Sequence, residues 1–340
     1  MSGPEAGLAE IGSTGREAGR DEPQSVAGPN EPPRRQTRRR FMGPGRLRRD
    51  RLFVILMLPG LAYFLVFHYA VLFGNVIAFK DYIPFDGFWG SAWVGVQNFK
   101  DLLGDPGFWH ATLNTLEIAG LQLIFYFPAP LALALLLHSL TSHTLRRFVQ
   151  SVVYLPHFMS WVIVVAMAQQ MLGSTGLFNS ALSGAGLHTV DIIGNPELFK
   201  PLTVLQVIWK DCGWGTIIFL AALTQVDDQL YEASAIDGAG PWRRFWHITL
   251  PTIRPIIILL LIMRIGEILS IGFEQILLQR TTVGPDAAEI IDTFVYYKGI
   301  IGGNFGYGAA AGLFKGVVGA ILVYAANKIS HRLGEQGVYK

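Results

Sequence analysis

The charges that fall inside long apolar stretches are the residues of this chain whose types and spacing could do chemistry. Arg264, Glu267 and Glu274 lie in one such stretch and Lys315 in another, while Lys210 and Asp211 merely interrupt, and so weaken, a third. Ionisable groups at membrane depth are costly, and where they persist they pair, line a polar path or relay ions. Arg264 and Glu267 stand at i, i+3, a spacing that predicts an intramembrane ion pair on one helix face. Glu274, two turns beyond Glu267, is expected near the outer end of the same helix, at a cavity mouth or in a packed network. Aromatic and amide side chains add to this set: Trp161, Gln169 and Gln170 in one apolar stretch, Trp209 and Trp214 in the next. Aromatic faces with a few fixed polar groups are what a sugar needs, so Trp161, Gln169, Trp209, Trp214 and Glu274 are candidates for a substrate pathway. The plainer reading of a Trp in such a stretch is packing or an interfacial belt.

Other chemistry is not written here. The chain has no G-x-x-x-x-G-K-[ST] phosphate loop and no H-E-x-x-H pair. Its one cysteine, Cys212, excludes an intramolecular disulfide and a multi-cysteine zinc site. The histidines (His68, His138, His143 and His157 among them) are scattered. No catalytic residue and no metal ligand is expected, so the chain reads as a non-enzyme.

The elements that must position these residues are membrane spans. Hydrophobic residues make up 51% of the chain and charged ones 15%, against about a quarter in soluble domains. Residues 52–79, 118–145 and 148–190 contain no Asp, Glu, Lys or Arg. A helix needs about 20 apolar residues to cross the hydrocarbon. The pattern predicts an all-α integral membrane protein of about six transmembrane helices, at 52–76, 112–138, 148–172, 202–224, 252–277 and 308–329. Pro128, Pro130 and Pro156 predict kinks within them. The first apolar run is too long for a signal-peptide core and reads as a retained anchor.

Residues 1–50 are rich in Gly, Pro, Ser, Glu and Arg, and are expected to form a disordered basic arm ahead of a permease-like domain at 51–340. The run from Arg34 to Arg51 reads as a positive-inside anchor beside anionic lipid headgroups rather than as a nucleic-acid arm. Arg146 and Arg147 after the second span, Arg243 and Arg244 before the fifth, and Lys328 and Arg332 after the sixth mark inner connections. The intervening connections carry more acid than base, so Lys and Arg alternate consistently, with both termini cytoplasmic.

One inner connection, residues 227–251, is too patterned to be a plain link. Asp227 or Asp228 can cap a first helix, Gly238 suits the left-handed position after its end, and Pro241 suits the first turn of a second helix. Trp242, Phe245, Trp246, Ile248 and Leu250 give that second helix apolar bulk, and Pro251 and Pro255 punctuate the entry to the fifth span. The product is a helix–turn–helix hairpin on the cytoplasmic face.

This hairpin resembles the EAA coupling loop of membrane subunits of type I ABC importers. The family pattern, E-A-A, three residues, G, nine residues, I-x-L-P, is matched by Glu232, Ala233, Ser234, Gly238, Ile248, Leu250 and Pro251. Ser234 replaces the second Ala, Asp237 and Ala239 give the I-D-G-A reading found in the carbohydrate branch, and Ala235 joins these residues in the coupling set. GFEQILL (272–278) and NKISHRLGEQGVY (327–339) look like permeases for oligosaccharide or polysaccharide fragments. The resemblance implies a permease subunit, with ATP and Mg bound by a separate ABC ATPase dimer that docks on the hairpin. It implies a second, different permease chain, an extracytoplasmic solute-binding protein, and a bacterial cytoplasmic (inner) membrane location. The alternative is a secondary transporter that runs on an ion gradient through Arg264, Glu267 and Glu274.

Overall fold

The computed structural model describes residues 51–332; the arm at 1–50 and the end of the 327–339 stretch lie outside the described residues. It falls into a short unit ending at Ala62 and a second unit from Tyr63 onward. The first holds most of helix α1 (Arg51–Phe64), whose side chains from Phe53 onward are exposed and apolar, as lipid-facing residues are.

Among the described residues, six helical segments are long and apolar enough to cross a membrane: Phe53–Phe79, Pro106–Ser139, Trp161–Gly184, Pro196–Leu223, Pro241–Gly266 and Phe305–Arg332. They answer to the six expected spans. Span two joins α2 (Pro106–Leu121) to α3 (Pro128–Ser139) through a π-helical turn, Gln122–Tyr126. Pro130 lacks the N–H that an unbroken α-helix would use there, so the predicted kink is realised as a wider turn. Between spans one and two, a two-residue antiparallel pairing joins β1 (Lys80–Asp81) to β2 (Ala92–Trp93).

Span three departs from expectation. Instead of one helix over 148–172, the chain forms α4 (His143–Tyr154), a 3-10 turn at Leu155–Phe158, and α5 (Trp161–Leu172), followed by α6 (Leu177–Gly184). Pro156 removes a donor and Ser160 caps α5 by accepting from Ile163 N, so the break has a cause on each side. Span four is α7 (Pro196–Leu223), capped by Asn195.

The hairpin follows as α8 (Asp228–Ile236) and α9 (Pro241–Arg244). Its second arm is not a separate helix. It continues through a π-turn, Phe245–Thr249, into α10 (Leu250–Gly266), and Pro251, the second residue of α10, places its missing N–H next to the widened turn. The fifth span also stops earlier than the expected 277. Glu267 ends α10, Gly272 takes a left-handed φ of 45°, and α11 (Phe273–Val283) starts as a new helix. Span six is α12 (Phe305–Arg332).

One buried apolar cluster fixes the hairpin. Ala134 of α3, Phe219, Ala222 and Leu223 of α7, Val226 and Ile253 of α10 pack together, with Tyr231 and Ile248 against them. Two further clusters hold the other end, where Phe108, Ile118, Phe199, Ile276, Ile291 and Phe294 are buried.

Candidate functional site

The break in span three and the middle of α7 meet in a polar knot. His157 Nδ1 lies 2.8 Å from Asp211 Oδ1, and the imidazole stacks on Trp214 at 4.5 Å between centroids with 6° between planes. Lys210 Nζ donates to the His157 carbonyl at 2.7 Å, lies 3.6 Å from Asp211 Oδ1 and sits 5.5 Å from the centre of the Trp161 ring. Breaking the helix at Pro156 is what frees the His157 carbonyl to accept from a lysine. A buried ammonium needs such company, and the Lys210 side chain is only 8% exposed.

A second group adjoins it. The π-turn of span two points Gln122 and Tyr126 at the end of span five. Arg264 Nη2 donates to Gln122 Oε1 and its guanidinium lies 5.3 Å from the Tyr126 ring centre. The π-turn of span two, the broken span three and α10 of span five all pack on α7 of span four, so spans two to five converge on one polar belt. The expected Arg264–Glu267 ion pair is not formed. Gly266 ends α10 and Glu267 leaves helical geometry (φ −97°, ψ 8°), so the i, i+3 spacing no longer describes one helix face. Arg264 takes the amide of Gln122 instead, and no carboxylate pairs with it among the described residues.

The other sequence candidates separate. Trp161 and Trp214 belong to the belt. Trp209 lines an apolar cavity of about 510 Å³ with Val164, Met167, Met171 and Leu205. Gln169 and Gln170 line another, of about 520 Å³, with Thr175 and Ser180. Glu274, expected on span five, is exposed in the first turn of α11. Lys315 pairs with Asp292. His157, Lys210, Asp211, Gln122 and Tyr126 were not singled out as site residues. The signal was present in Lys210 and Asp211, a mid-span charge pair, and in Pro156, which marks where a backbone carbonyl would be free.

The hairpin is a defined object. Asp227 caps α8 by accepting from Gln229 N at 2.9 Å. At the other end Ala239 N donates to Ser234 O at 2.9 Å and Gly238 N to Ala235 O at 3.1 Å, with Gly238 at φ 73°. That is the Schellman pattern, and it requires a residue that tolerates the left-handed region. Tyr231 Oη and Thr249 Oγ1, 2.7 Å apart, tie the two arms together. Glu232, Ala233, Ala235 and Asp237 face solvent, Ile236 is 87% exposed, and Ile248 and Leu250 turn toward the protein. The hairpin is thus capped and internally braced, and it leaves Ile236 uncovered.

Among the described residues, no group of His, Cys, Asp and Glu could hold a metal ion.

Comparison with known proteins agrees with this architecture. The family described as "Binding-protein-dependent transport system inner membrane component" matches residues 126–334. Protein LplB of Bacillus subtilis (strain 168) is 47% identical over 294 residues, 86% of this chain and 92% of the relative. The polygalacturonan/rhamnogalacturonan transport system permease protein YteP of the same organism is 47% identical over 286 residues, 84% of this chain and 89% of the relative. A chain in the crystal structure of a bacterial alginate ABC transporter, in complex with an alginate pentasaccharide-bound periplasmic protein, superposes with a TM-score of 0.77 at 38% identity. That match covers 86% of this chain and 99% of that one. With its spans, its hairpin and these likenesses in agreement, the chain belongs to the binding-protein-dependent transport system inner membrane components, as a multi-pass permease of the carbohydrate type I ABC importers.

Proposed function

We propose that this permease subunit passes an oligosaccharide across the bacterial cytoplasmic membrane, receiving it from an extracytoplasmic solute-binding protein. A second permease chain completes the path. A separate ABC ATPase dimer, which holds ATP and Mg, docks on the hairpin around Glu232–Gly238. Both termini and the hairpin are cytoplasmic. ATP-driven closure of the dimer pushes the hairpin and turns the spans as rigid bodies, exposing the polar belt to one side and then the other.

One observation carries the reading. The charged and aromatic belt of spans two to five is joined to the braced hairpin by the continuous helical segment Pro241–Gly266, which ends beside Arg264. The belt has what a saccharide needs: the Trp161 and Trp214 rings for sugar faces, and Lys210, Asp211, His157 and Gln122 for hydroxyls. Arg264 adds a cation with an amide partner and no carboxylate partner among the described residues, which favours a saccharide carrying carboxylates. The acidic substrates named for YteP and for the alginate transporter support the same class.

The ion-gradient alternative finds no support. Its relay is not assembled, because Arg264 bonds Gln122 while Glu267 and Glu274 are exposed and in separate segments.

The deciding experiment is isolation of the chain from its membrane in mild detergent, with mass spectrometry of its companions, for wild type and Gly238→Asp. Recovery of a P-loop ATPase and a second permease, with the ATPase lost from the variant, supports the docking role. Recovery of the chain alone, under detergent that preserves other importers, overturns it.

A further inference from the structure

Beside the hairpin lies a cavity of about 810 Å³ that the transport cycle above does not use. Its walls are apolar: Ala132, Leu135 and Leu136 from the last turns of span two, and Trp242 and Phe245 from the second arm. His138 and Arg244 also line it, and Tyr231 is the α8 residue that reaches it. Arg244 Nε donates to the Ala239 carbonyl at 2.8 Å, and no carboxylate pairs with it among the described residues.

The surroundings are one-signed. Residues 131–154 and 239–266 contain no Asp or Glu, while they carry Arg146, Arg147, Arg243, Arg244, Arg254 and Arg264. Asp227, Asp228, Glu232 and Asp237 belong to α8 and its two caps, and none of them lines the cavity. Arg146 is committed to span two, donating to the carbonyls of His138 and Leu140. The cavity also lies at interface depth. It sits where span two ends and span five begins, next to Trp242 and Trp246, which are 72% and 49% exposed as belt aromatics are. A hydrocarbon-lined slot with Arg244 in its wall and no acid lining it, at that depth, fits a ligand with an acyl chain and an anionic head. The chain's own arm is a poor occupant, because its run from Arg34 to Arg51 carries the same sign as Arg244.

We propose that this cavity binds an anionic phospholipid, one acyl chain against Leu135, Leu136 and Phe245 and the phosphate at Arg244. The lipid then bridges the end of span two and the hairpin, and so belongs to the coupling element. The proposal rests on the cytoplasmic placement of that hairpin.

The test uses the whole transporter, reconstituted in vesicles of equal parts phosphatidylcholine and phosphatidylglycerol, then extracted gently for native mass spectrometry. Wild type is expected to retain phosphatidylglycerol in preference to phosphatidylcholine. Arg244→Gln should weaken that retention about fivefold, the effect of one interfacial cation. Ala132→Trp, which fills the slot from an exposed position and keeps every charge, should remove the lipid as well. Equal retention of both lipids, or phosphatidylglycerol retention unchanged in both variants, overturns the proposal. So does retention only after the ATPase is stripped off, which would make the cavity an ATPase contact. Phosphatidylglycerol retained by a complex that never contained an ATPase would overturn the docking reading and leave the lipid site standing.

Discussion

His157 is held on Trp214 face to face, 4.5 Å between ring centres, while its Nδ1 edge meets Asp211 at 2.8 Å. Two different elements therefore fix one imidazole, the broken span three through its turn and α7 through both a face and an edge. One face of Trp214 is occupied by this stack, yet the residue remains 48% exposed. What is left is a ring of fixed orientation with about half of its surface free.

Trp214→Ala should raise the apparent KM for saccharide uptake by roughly threefold to tenfold, the worth of one aromatic stack, and change the maximal rate less. Trp214→Phe should retain most of the affinity. Uptake kinetics in proteoliposomes read the difference, and an unchanged KM in Trp214→Ala would remove this ring from the path.

Asp211→Asn leaves Lys210 buried with the His157 carbonyl as its main partner. Losing one member of a buried pair costs about 3–5 kcal/mol, and less here because Asp211 is a quarter exposed. The thermal midpoint in detergent should fall by several degrees. The double variant Lys210→Met with Asp211→Asn should recover much of that loss without recovering transport. If the double variant is as unstable as the sum of the two singles, the pair is not coupled.

Gly213 marks where α7 passes α4. A Cβ there would meet the Val153 carbonyl oxygen at 2.2 Å. Gly213→Ala must push the two helices apart, at roughly 1–3 kcal/mol, and drag Lys210 off the span-three break. Gly120→Ala, in α2 with nothing within 4 Å of the added carbon, should be neutral or stabilising. Equal midpoints for the two variants would contradict the close crossing.

Asp105 caps span two from outside it. Burial pushes its carboxyl up, but donation from Lys298, Tyr307 and Gly107 N outweighs that and holds it below its ordinary value. A depressed folded-state pKa contributes stability above the unfolded value of about 4, and that contribution is lost as pH falls through the folded value. Asp105→Asn should lower the thermal midpoint at neutral pH and flatten its decline below about pH 4. A variant whose pH profile merely parallels wild type would show that the carboxylate contributes nothing by its charge.

The spans and the hairpin were legible because their signals are local. Charge-free runs give spans, and Asp227, Gly238 and Pro241 each state their place in the hairpin through ordinary capping chemistry. The site was legible in part. Trp161 and Trp214 were found by type, but their partner His157 is far from Asp211 in sequence and close to it only because Pro156 and Ser160 break a helix. The Arg264–Glu267 pair failed for a related reason. The i, i+3 rule presumes an unbroken helix, and this one ends at Gly266. Gln122 could not be matched to Arg264 without knowing that span two widens into a π-turn.

The π-turn at Phe245–Thr249 keeps an azimuth. Each residue of an α-helix advances the chain about 100° around its axis. Deleting one residue within the π-turn, so that an ordinary turn forms, would leave the hairpin's sequence and the belt's residues untouched. Because a π-turn fits about one more residue into its turn, Arg264 would stay near its azimuth, facing Gln122 and Tyr126, whereas a one-residue deletion in the α-helical stretch beyond Thr249 would swing it away by roughly that angle. The π-turn carries an extra residue between hairpin and belt without turning one out of phase with the other.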